Sequence, residues 1–480
     1  MELTPRRRFL VLAICCMSLF IVGLDNTIVN VALPSIGRDL NSGVSGLQWV
    51  VDAYTVVLAS LLMLGGSTGD RLGRRRVFQT GLALFIVGSL VCSLAPSLGW
   101  LIVARMLQAV GGSMLNPVAM SIITNTFTDP KERARAIGVW GGTVGVSMAL
   151  GPVVGGLLVG SVGWPSIFWI NIPVGLAALV LAGLYIPESR SPRPRRVDPA
   201  GQLAVIVLLG SLTYGIIEAP KAGWGSAQSL LCFALAATAL VVLLVVESRR
   251  QEPLIELRFF RSVPFAGATV IAVCGFAALG GFLFLNTLFL QSVRDFSALR
   301  AGLCTLPMAA ATVVFSPLSG RLVGTRGPRL PLVAAGLAMG ASALLLVRLR
   351  ADTPLWVLLL AYLLFGMGFG MINAPVTNTA VSGMPRAQAG VAAAVASTSR
   401  QVGQALGVAV IGSVVTSAVV GSFRIGFAQA SHIGWWIVLG CAIAVVVLGV
   451  ATTGAWARGT AARVFAQTEG QGERREMSAA

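Results

Sequence analysis

The sequence is short of charged residues and almost lacks histidine and lysine. Only 11% of its 480 residues are charged, one is histidine, and Lys131 and Lys221 are its two lysines. Around the one histidine we recognise no Ser/His/Asp, Cys/His or metal-ligand set of the kind that most hydrolases and metalloenzymes use. The seven cysteines all lie in apolar runs, where they behave as small hydrophobic residues. An enzyme, a disulfide framework and a metal site are therefore not expected.

The chain also lacks any sizeable polar segment from which a soluble domain is built. Hydrophobic residues make up 56% of it, and the mean hydropathy is +0.84. Apolar runs of about 18 to 24 residues recur to its end, each long enough to cross a hydrocarbon core of about 30 Å. Counting these runs predicts fourteen spans, and hence an all-α polytopic membrane protein. We expect it to bind no cofactor.

The net charge of +17 is distributed along the chain in short segments between the apolar runs. This pattern disfavours a nucleic-acid partner, which needs basic residues gathered on one soluble face. Most of the basic residues fall in the segments that share a side with the two chain ends. The positive-inside rule therefore places both termini in the cytoplasm. The arginine-rich, Gly/Ala/Val-rich composition favours a bacterial cytoplasmic membrane, and the lipid bilayer is the expected partner of a monomeric chain.

A repeat divides the chain. GSTGDRLGRR, which begins at Gly66, aligns without gaps on GRLVGTRGPR, which begins at Gly320, at an offset of about 254 residues, and such repeated halves are typical of secondary transporters. Each copy follows the second span of a half. We therefore predict an N-terminal six-helix half at 1–200, two additional helices with a linker at 201–250, and a C-terminal six-helix half at 251–480. The Pro/Arg/Ser-rich stretch 187–199 is the expected start of the linker.

An aspartate interrupts the first apolar run, which extends from Phe9 to about Leu33. Asp25 lies there within the stretch LDNTIVNVALP. An unpaired ion in hydrocarbon costs about 3 kcal/mol on insertion scales, so an intramembrane carboxylate is a candidate functional group. The alternative is a structural hydrogen bond from Asp25 to a neighbouring helix.

Two further charges are expected at a similar depth. At about 1.5 Å per residue, Asp25 lies about 24 Å from the start of the first span, and Arg105 lies about 10 Å from the start of the oppositely directed fourth. Asp52 lies about one turn into the second span. Burial favours a protonated carboxyl and a nearby arginine favours the carboxylate, so Asp25, Asp52 and Arg105 are predicted to form an outer-half cluster that carries protons inward. Alternatively, Asp52 lies in an outer vestibule.

The loop after the second span is short enough to be a tight turn. Asp70 follows a helix C-terminus, which disfavours negative charge, so we expect an arginine to bind it and to hold one conformation. The alternative is an ordinary positive-inside loop. The residues assigned to this conformational motif are Gly66, Asp70, Arg71, Gly73, Arg74 and Arg75.

The fifth span is rich in glycine at helical spacing. Its small-xxx-small pairs allow another backbone to approach closely, and a proline within it favours a kink. A kinked, closely packed helix suits two halves that rock against each other, and the alternative is plain transmembrane packing. The residues concerned are Gly145, Gly151, Pro152, Gly155 and Gly156.

Several of these stretches together resemble the major facilitator superfamily. GSTGDRLGRRR resembles its first-loop signature, and LDNTIVNVALP resembles the first-helix motif of its fourteen-helix drug:proton antiporter branch. RMLQAVGGS, GVSMALGPVVGG and SRQVGQALGVAV resemble motifs of helices four, five and thirteen. Ala109 departs from the helix-four motif, which usually has glycine there. The resemblance implies a major facilitator fold of two six-helix halves plus two linking helices.

The same resemblance implies a proton-coupled exporter. WVVDAY resembles the second helix of exporters of quaternary-ammonium and other lipophilic cations. The expected substrate is therefore a hydrophobic, cationic compound moved outward by alternating access. One alternative is export of a neutral or anionic natural-product antibiotic, and another is a non-transporting receptor or scaffold. The residues predicted to line a cavity are Asn26, Trp49, Tyr54, Asn373 and Arg400.

Overall fold

The structure is a computed structural model that describes residues 4–191, 198–250, 255–382 and 389–464, so 192–197 of the predicted linker lie outside the described residues. Every element assigned in these ranges is helical. The α-helices are α1 (Pro5–Asp39), α2 (Val44–Leu72), α3 (Arg74–Ser93), α4 (Leu98–Thr126), α5 (Pro130–Ser161), α6 (Ser166–Trp169), α7 (Asn171–Tyr185), α8 (Pro199–Ala222), α9 (Ala227–Arg249), α10 (Val263–Leu288), α11 (Ala298–Cys304), α12 (Leu306–Arg326), α13 (Arg329–Leu346), α14 (Leu355–Gly370), α15 (Asn373–Val381), α16 (Ala389–Ser417) and α17 (Phe423–Ala451). A 3₁₀ turn (Leu257–Arg261) precedes α10 and a π turn (Phe289–Val293) follows it.

The helices agree with the predicted membrane spans. Among the described residues, thirteen helical segments are long and apolar enough to cross a bilayer. The 29-residue α16 occupies the remaining predicted span. Together they form the fourteen crossings of an all-α polytopic membrane protein, as the pattern of apolar runs predicts.

Three of the crossings are broken into two helices, which the hydropathy pattern does not reveal. The breaks lie at Ile170 between α6 and α7, at Thr305 between α11 and α12, and at Met371–Ile372 between α14 and α15. A break exposes backbone groups that an unbroken helix would pair. It also changes the direction in which the next side chain points. Asn171, the first residue of α7, is such a side chain.

The two halves repeat one packing pattern. In the first half α1 packs on α5, α2 on α4 and α3 on α4, while in the second half α10 packs on α16, α12 on α14 and α13 on α14. The repeat found in the sequence lies at equivalent turns. Gly73 follows α2 with φ +116°, and Gly327 follows α12 with φ +79°. Both backbones need a residue without a β-carbon.

The halves meet along two seams. At one seam α5 packs on α11 and α12, and at the other α2 packs on α16. The linking helix α8 contacts both α2 and α16, and α9 packs mainly on α8. The extra helices therefore lie against the α2/α16 seam.

The packing of the halves is tighter at the end of the bundle distant from the chain termini. There, Gln291 Nε2 donates to the Val31 carbonyl (2.8 Å), and Gln48 Nε2 donates to the Val408 carbonyl (3.0 Å). At the end that carries the termini, a β-carbon at Gly138, Gly141 or Gly142 of α5 would meet no neighbouring atom within 4 Å. The same holds at Gly320 and Gly324 of α12. The α5/α12 seam therefore opens toward the terminal end.

Candidate functional site

Asp25 and Arg105 form an ion pair inside the N-terminal half. The Arg105 guanidinium donates to Asp25 Oδ2, and both side chains are almost completely buried. Arg105 also donates to Gln108 Oε1 (2.6 Å) and to the Val50 carbonyl (3.3 Å). Its guanidinium carbon lies 4.1 Å from the centre of the Tyr54 ring, which is a cation–π distance. The charge of Arg105 is thus fully partnered.

Three polar residues that were not predicted complete the shell around Asp25. Gln108 Nε2 donates to Asp25 Oδ1 (2.8 Å), and Asn171 Nδ2 donates to the same oxygen (3.1 Å). The Ser89 hydroxyl accepts from both amides, at 2.9 and 3.4 Å. Gln108 follows Arg105 by three residues and so lies on the same helix face, a spacing that could have indicated it. No sequence pattern indicated Asn171, because its side chain reaches Asp25 only as a result of the helix break at Ile170.

Close packing of α3 on α4 brings Ser89 to this network. A β-carbon on Gly88 would lie 2.6 Å from the Cα of Gln108, so only glycine permits this approach. Asp25 accepts three side-chain hydrogen bonds, one of them charge-assisted. The arrangement suits a stable ion pair that links α1, α4 and α7.

Asp52 lies apart from this network. It makes no hydrogen bond or ion pair with Asp25 or Arg105, so the structure joins only two of the three predicted residues. Its side chain is 0% exposed, and neither carboxyl oxygen has a hydrogen-bonding partner among the described residues. Asp52 is one turn beyond Gln48, whose amide donates to the Val408 and Ala409 carbonyls of α16. Residues four apart share a helix face, so Asp52 faces the α2/α16 seam.

The first-loop motif is a compact capped turn. Arg74 donates from Nε (3.0 Å) and from Nη2 (2.8 Å) to Asp70 Oδ1, which is the expected clamp between an acid and an arginine. Glu188, which was not predicted, accepts from the backbone N–H of Arg75 (3.1 Å). It therefore places a negative charge at the N-terminus of α3, where charge of that sign is stabilising. Arg71 is exposed, and Gly66 lies against Pro117 of α4.

The glycines of α5 lie at close approaches to both halves. A β-carbon on Gly155 would come within 2.6 Å of Ile28 Cγ1 on α1, and one on Gly151 would collide with Thr27. On the opposite side, a β-carbon on Gly156 would lie 2.6 Å from the Ala298 carbonyl of α11, and one on Gly145 would lie 3.3 Å from Val313 of α12. Pro152 lies inside α5, and its carbonyl faces Gly302 of α11. This helix is therefore packed between the two halves.

The residues predicted to line a cavity are dispersed. Tyr54 is buried against Arg105, while Trp49 donates from its indole N–H to Glu218 of α8 (2.9 Å). Asn26, Asn373 and Arg400 are half-buried. Arg400 donates to the Thr377 hydroxyl of α15 (3.2 Å). The structure does not bring these five residues together at one site.

A cavity between the halves is formed by other residues. It is lined by α1, α5, α10 and the α11/α12 junction, and it presents Thr27, Asn30 and Asn286 beside the ring of Phe282. Phe282 stacks on Phe365 with ring centres 4.0 Å apart. The cavity is small, about 10 Å³, so it has room for about one water molecule and not for a substrate. Within the described ranges, no group of three or more His, Cys, Asp or Glu residues is arranged to hold a metal ion.

Comparison with known proteins agrees with this architecture. The model of the Major Facilitator Superfamily matches residues 15–408, which is most of the chain. The chain belongs to the major facilitator superfamily. It is 38% identical over 412 residues to the multidrug resistance protein Stp of Mycobacterium tuberculosis, covering 86% of this chain and 76% of that protein. It is 37% identical over 417 residues to the tetracenomycin C resistance and export protein of Streptomyces glaucescens, covering 86% and 77%.

A solved structure shows that the fold also agrees with the superfamily. The crystal structure of a D-xylose–proton symporter superposes with a TM-score of 0.65 at 15% identity, over 92% of this chain and 96% of that one. At this identity the likeness concerns the fold alone. Drug-exporting relatives and the fourteen crossings agree with the fourteen-helix branch of the major facilitator superfamily that the sequence motifs resemble.

The glycine motif of this major facilitator protein allows a paired test. We expect Gly156→Ala to lower both the thermal unfolding midpoint and the transport rate, because its methyl group would press on the α11 backbone and overpacking costs about 1–3 kcal/mol. Gly160→Ala on the same helix would meet no neighbouring atom within 4 Å. Its stability should change by less than about 0.5 kcal/mol. Equal unfolding midpoints and transport rates in the two purified variants would contradict the predicted close approach of α5 and α11.

Proposed function

We propose that the protein exports hydrophobic compounds across a bacterial cytoplasmic membrane in exchange for protons, with both termini in the cytoplasm. The two halves alternate between inward-open and outward-open arrangements, and no catalytic chemistry is assigned to the chain. With this orientation, the structure corresponds to an inward-open arrangement, because the α5/α12 seam opens at the terminal end. The proton is the only coupling ion, and a monomer in the bilayer is the working unit.

The observation that carries proton coupling is the environment of Asp52. A buried ionised carboxylate without a partner is strongly disfavoured, so this arrangement accommodates Asp52 with a proton bound. Asp52 faces a seam between the halves, and rocking of the halves changes its exposure. A carboxyl that binds a proton on one side and loses it on the other couples proton entry to that rocking motion.

Asp25 has a different part in this proposal. Its ion pair with Arg105 fixes α1 to α4, and its bond from Asn171 fixes α1 to α7. The N-terminal half then moves as one rigid body. Gain or loss of a proton at Asp52 can therefore shift the whole half. Transient opening of the pair also gives Asp25 access to the same proton.

Two substrate classes are retained. Export of a hydrophobic cation is the class that the sequence predicts. Export of a neutral or anionic natural product is the second. The half-buried Arg400 has no acidic partner among the described residues, which favours an anion over a cation.

Proton flux in proteoliposomes tests the proposal. The purified protein is reconstituted with a pH-sensitive dye in the lumen, a pH gradient is imposed, and cationic, neutral and anionic hydrophobic compounds are added in turn. We expect at least one class to accelerate proton movement and to be transported against its gradient. Protein-free vesicles are the control. Absence of coupled movement for every class would favour a receptor or scaffold.

A further inference from the structure

A second arginine lies deep in the bundle, and its surroundings differ from those of Arg105. Arg400 lies eleven residues into α16, about 17 Å along the helix axis. From 391 to 416, no side chain on α16 is exposed. The helices α2, α8, α10, α15 and α17 pack around it. The half-buried side chain of Arg400 therefore faces internal space rather than the surrounding lipid.

The guanidinium of Arg400 is short of partners. Its one hydrogen bond to a described residue goes to the neutral hydroxyl of Thr377. Arg105, by contrast, is bound by a carboxylate, an amide oxygen, a backbone carbonyl and an aromatic ring. A guanidinium has five N–H donors in a planar fork that matches a carboxylate. A purely structural arginine at this depth would be expected to use them as Arg105 does.

No helix around Arg400 supplies the missing negative charge. The described parts of α10, α15 and α17 contain no acidic residue. On α2, Asp70 is bound by Arg74, and Asp52 makes no ion pair. On α8, Glu218 accepts from Trp49. An intramembrane cation is costly without a partner, and an anionic ligand would supply the missing charge.

The face of α15 opposite Arg400 offers further polar groups. Thr377, which accepts the Arg400 hydrogen bond, lies four residues after Asn373, so the two side chains share a helix face. Asn373 is half-buried, begins α15, and follows the break at Met371–Ile372. Its amide is a neutral donor beside a charged one. Neither Thr377 nor Asn373 adds negative charge that would repel an anion.

We propose that Arg400, with Thr377 and Asn373, binds the carboxylate group of exported compounds. The inference rests on the proposed transport function and specifies its substrate class as hydrophobic carboxylic acids. The carboxylate takes the free guanidinium donors, and the apolar body extends into the space between the halves. Asp52 faces the same helix α16 from α2, so the substrate anion and the coupling proton act on one helix.

A matched set of fluorescent probes tests the site. The probes are pyrenebutyrate, its methyl ester and pyrenebutylamine, which share one apolar body and differ in charge. Binding to the purified full-length protein is measured by fluorescence anisotropy, and transport is measured in proteoliposomes. We expect pyrenebutyrate to bind more than about tenfold tighter than the ester, because a hydrogen bond to a charged group contributes more than a neutral one.

Variants separate the site from general effects. Arg400→Gln should lose the preference for pyrenebutyrate while binding the ester as the wild type does, and Arg400→Lys should retain part of it. Arg326→Gln removes an exposed arginine of α12 and should keep the full preference. Equal affinities of the wild type for all three probes, or a preference that survives Arg400→Gln, would overturn the anion site. Absence of transport with intact selective binding would instead overturn the proposed function.

Discussion

Asp25→Asn should abolish proton-coupled efflux and also lower the stability of the protein. The substitution leaves Arg105 buried without its carboxylate, and breaking a buried pair by removing one partner costs about 3–5 kcal/mol. The bonds of Arg105 to Gln108 and Val50, and its contact with Tyr54, persist and keep the charge in place. The thermal unfolding midpoint of the purified protein and efflux from loaded vesicles are the two measurements.

A second substitution separates the charge from the shape of the site. Adding Arg105→Gln to Asp25→Asn removes the orphaned cation, so the unfolding midpoint should recover in part while efflux stays absent. Glu132→Gln is the control, because its pair with Arg8 is partly exposed and such pairs contribute about 0–1 kcal/mol. If Asp25→Asn unfolds at the wild-type temperature and transports at the wild-type rate, the ion pair has neither role.

Asp52→Asn should uncouple transport without destabilising the protein. Asn has nearly the shape of a protonated Asp, and no partner among the described residues is lost. Substrate-linked proton flux should fall to the level of protein-free vesicles, while exchange of labelled for unlabelled substrate across the membrane continues. The dependence of exchange on external pH should also disappear, because the side chain at position 52 no longer gains or loses a proton.

The measurement is substrate-driven dye quenching in proteoliposomes, run beside the exchange assay on the same preparation. Asp39→Asn, at the exposed end of α1, is the matched control and should keep both activities. If Asp52→Asn keeps the wild-type proton flux and Asp25→Asn has none, Asp25 and not Asp52 is the coupling residue.

The sequence was sufficient for the architecture because the strongest signals in a membrane protein are long apolar runs and repeated loops. The fourteen crossings follow from the length of the apolar runs. The equivalence of the two turns follows from the repeated glycines, Gly73 in the first turn and Gly327 in the second. The pairing of Asp25 with Arg105 also follows from depth, since two opposite charges at one level in a small bundle gain by meeting.

Helix rotation and helix breaks account for what the sequence did not reveal. Depth placed Asp52 beside Arg105, but Asp52 lies on the face of α2 that carries Gln48, whereas the Val50 carbonyl and the Tyr54 ring on another face contact Arg105. Asn171 reaches Asp25 only because the sixth crossing breaks at Ile170. Glu188 caps α3 from a residue more than a hundred positions away, and no local pattern signals such a contact.

The linking helix α8 insulates the seam that contains Asp52. Its side chains Ile216 and Ile217 cluster with Ala409 of α16 and with Trp49 of α2, and Gln202 donates to the Ser60 carbonyl (2.6 Å). Acyl chains are thereby kept away from the carboxyl, and so is any water that would follow a defect in the lipid. In the proposed antiport we expect protons to enter along the seam from its ends, and we expect the inserted hairpin of α8 and α9 to limit proton leak.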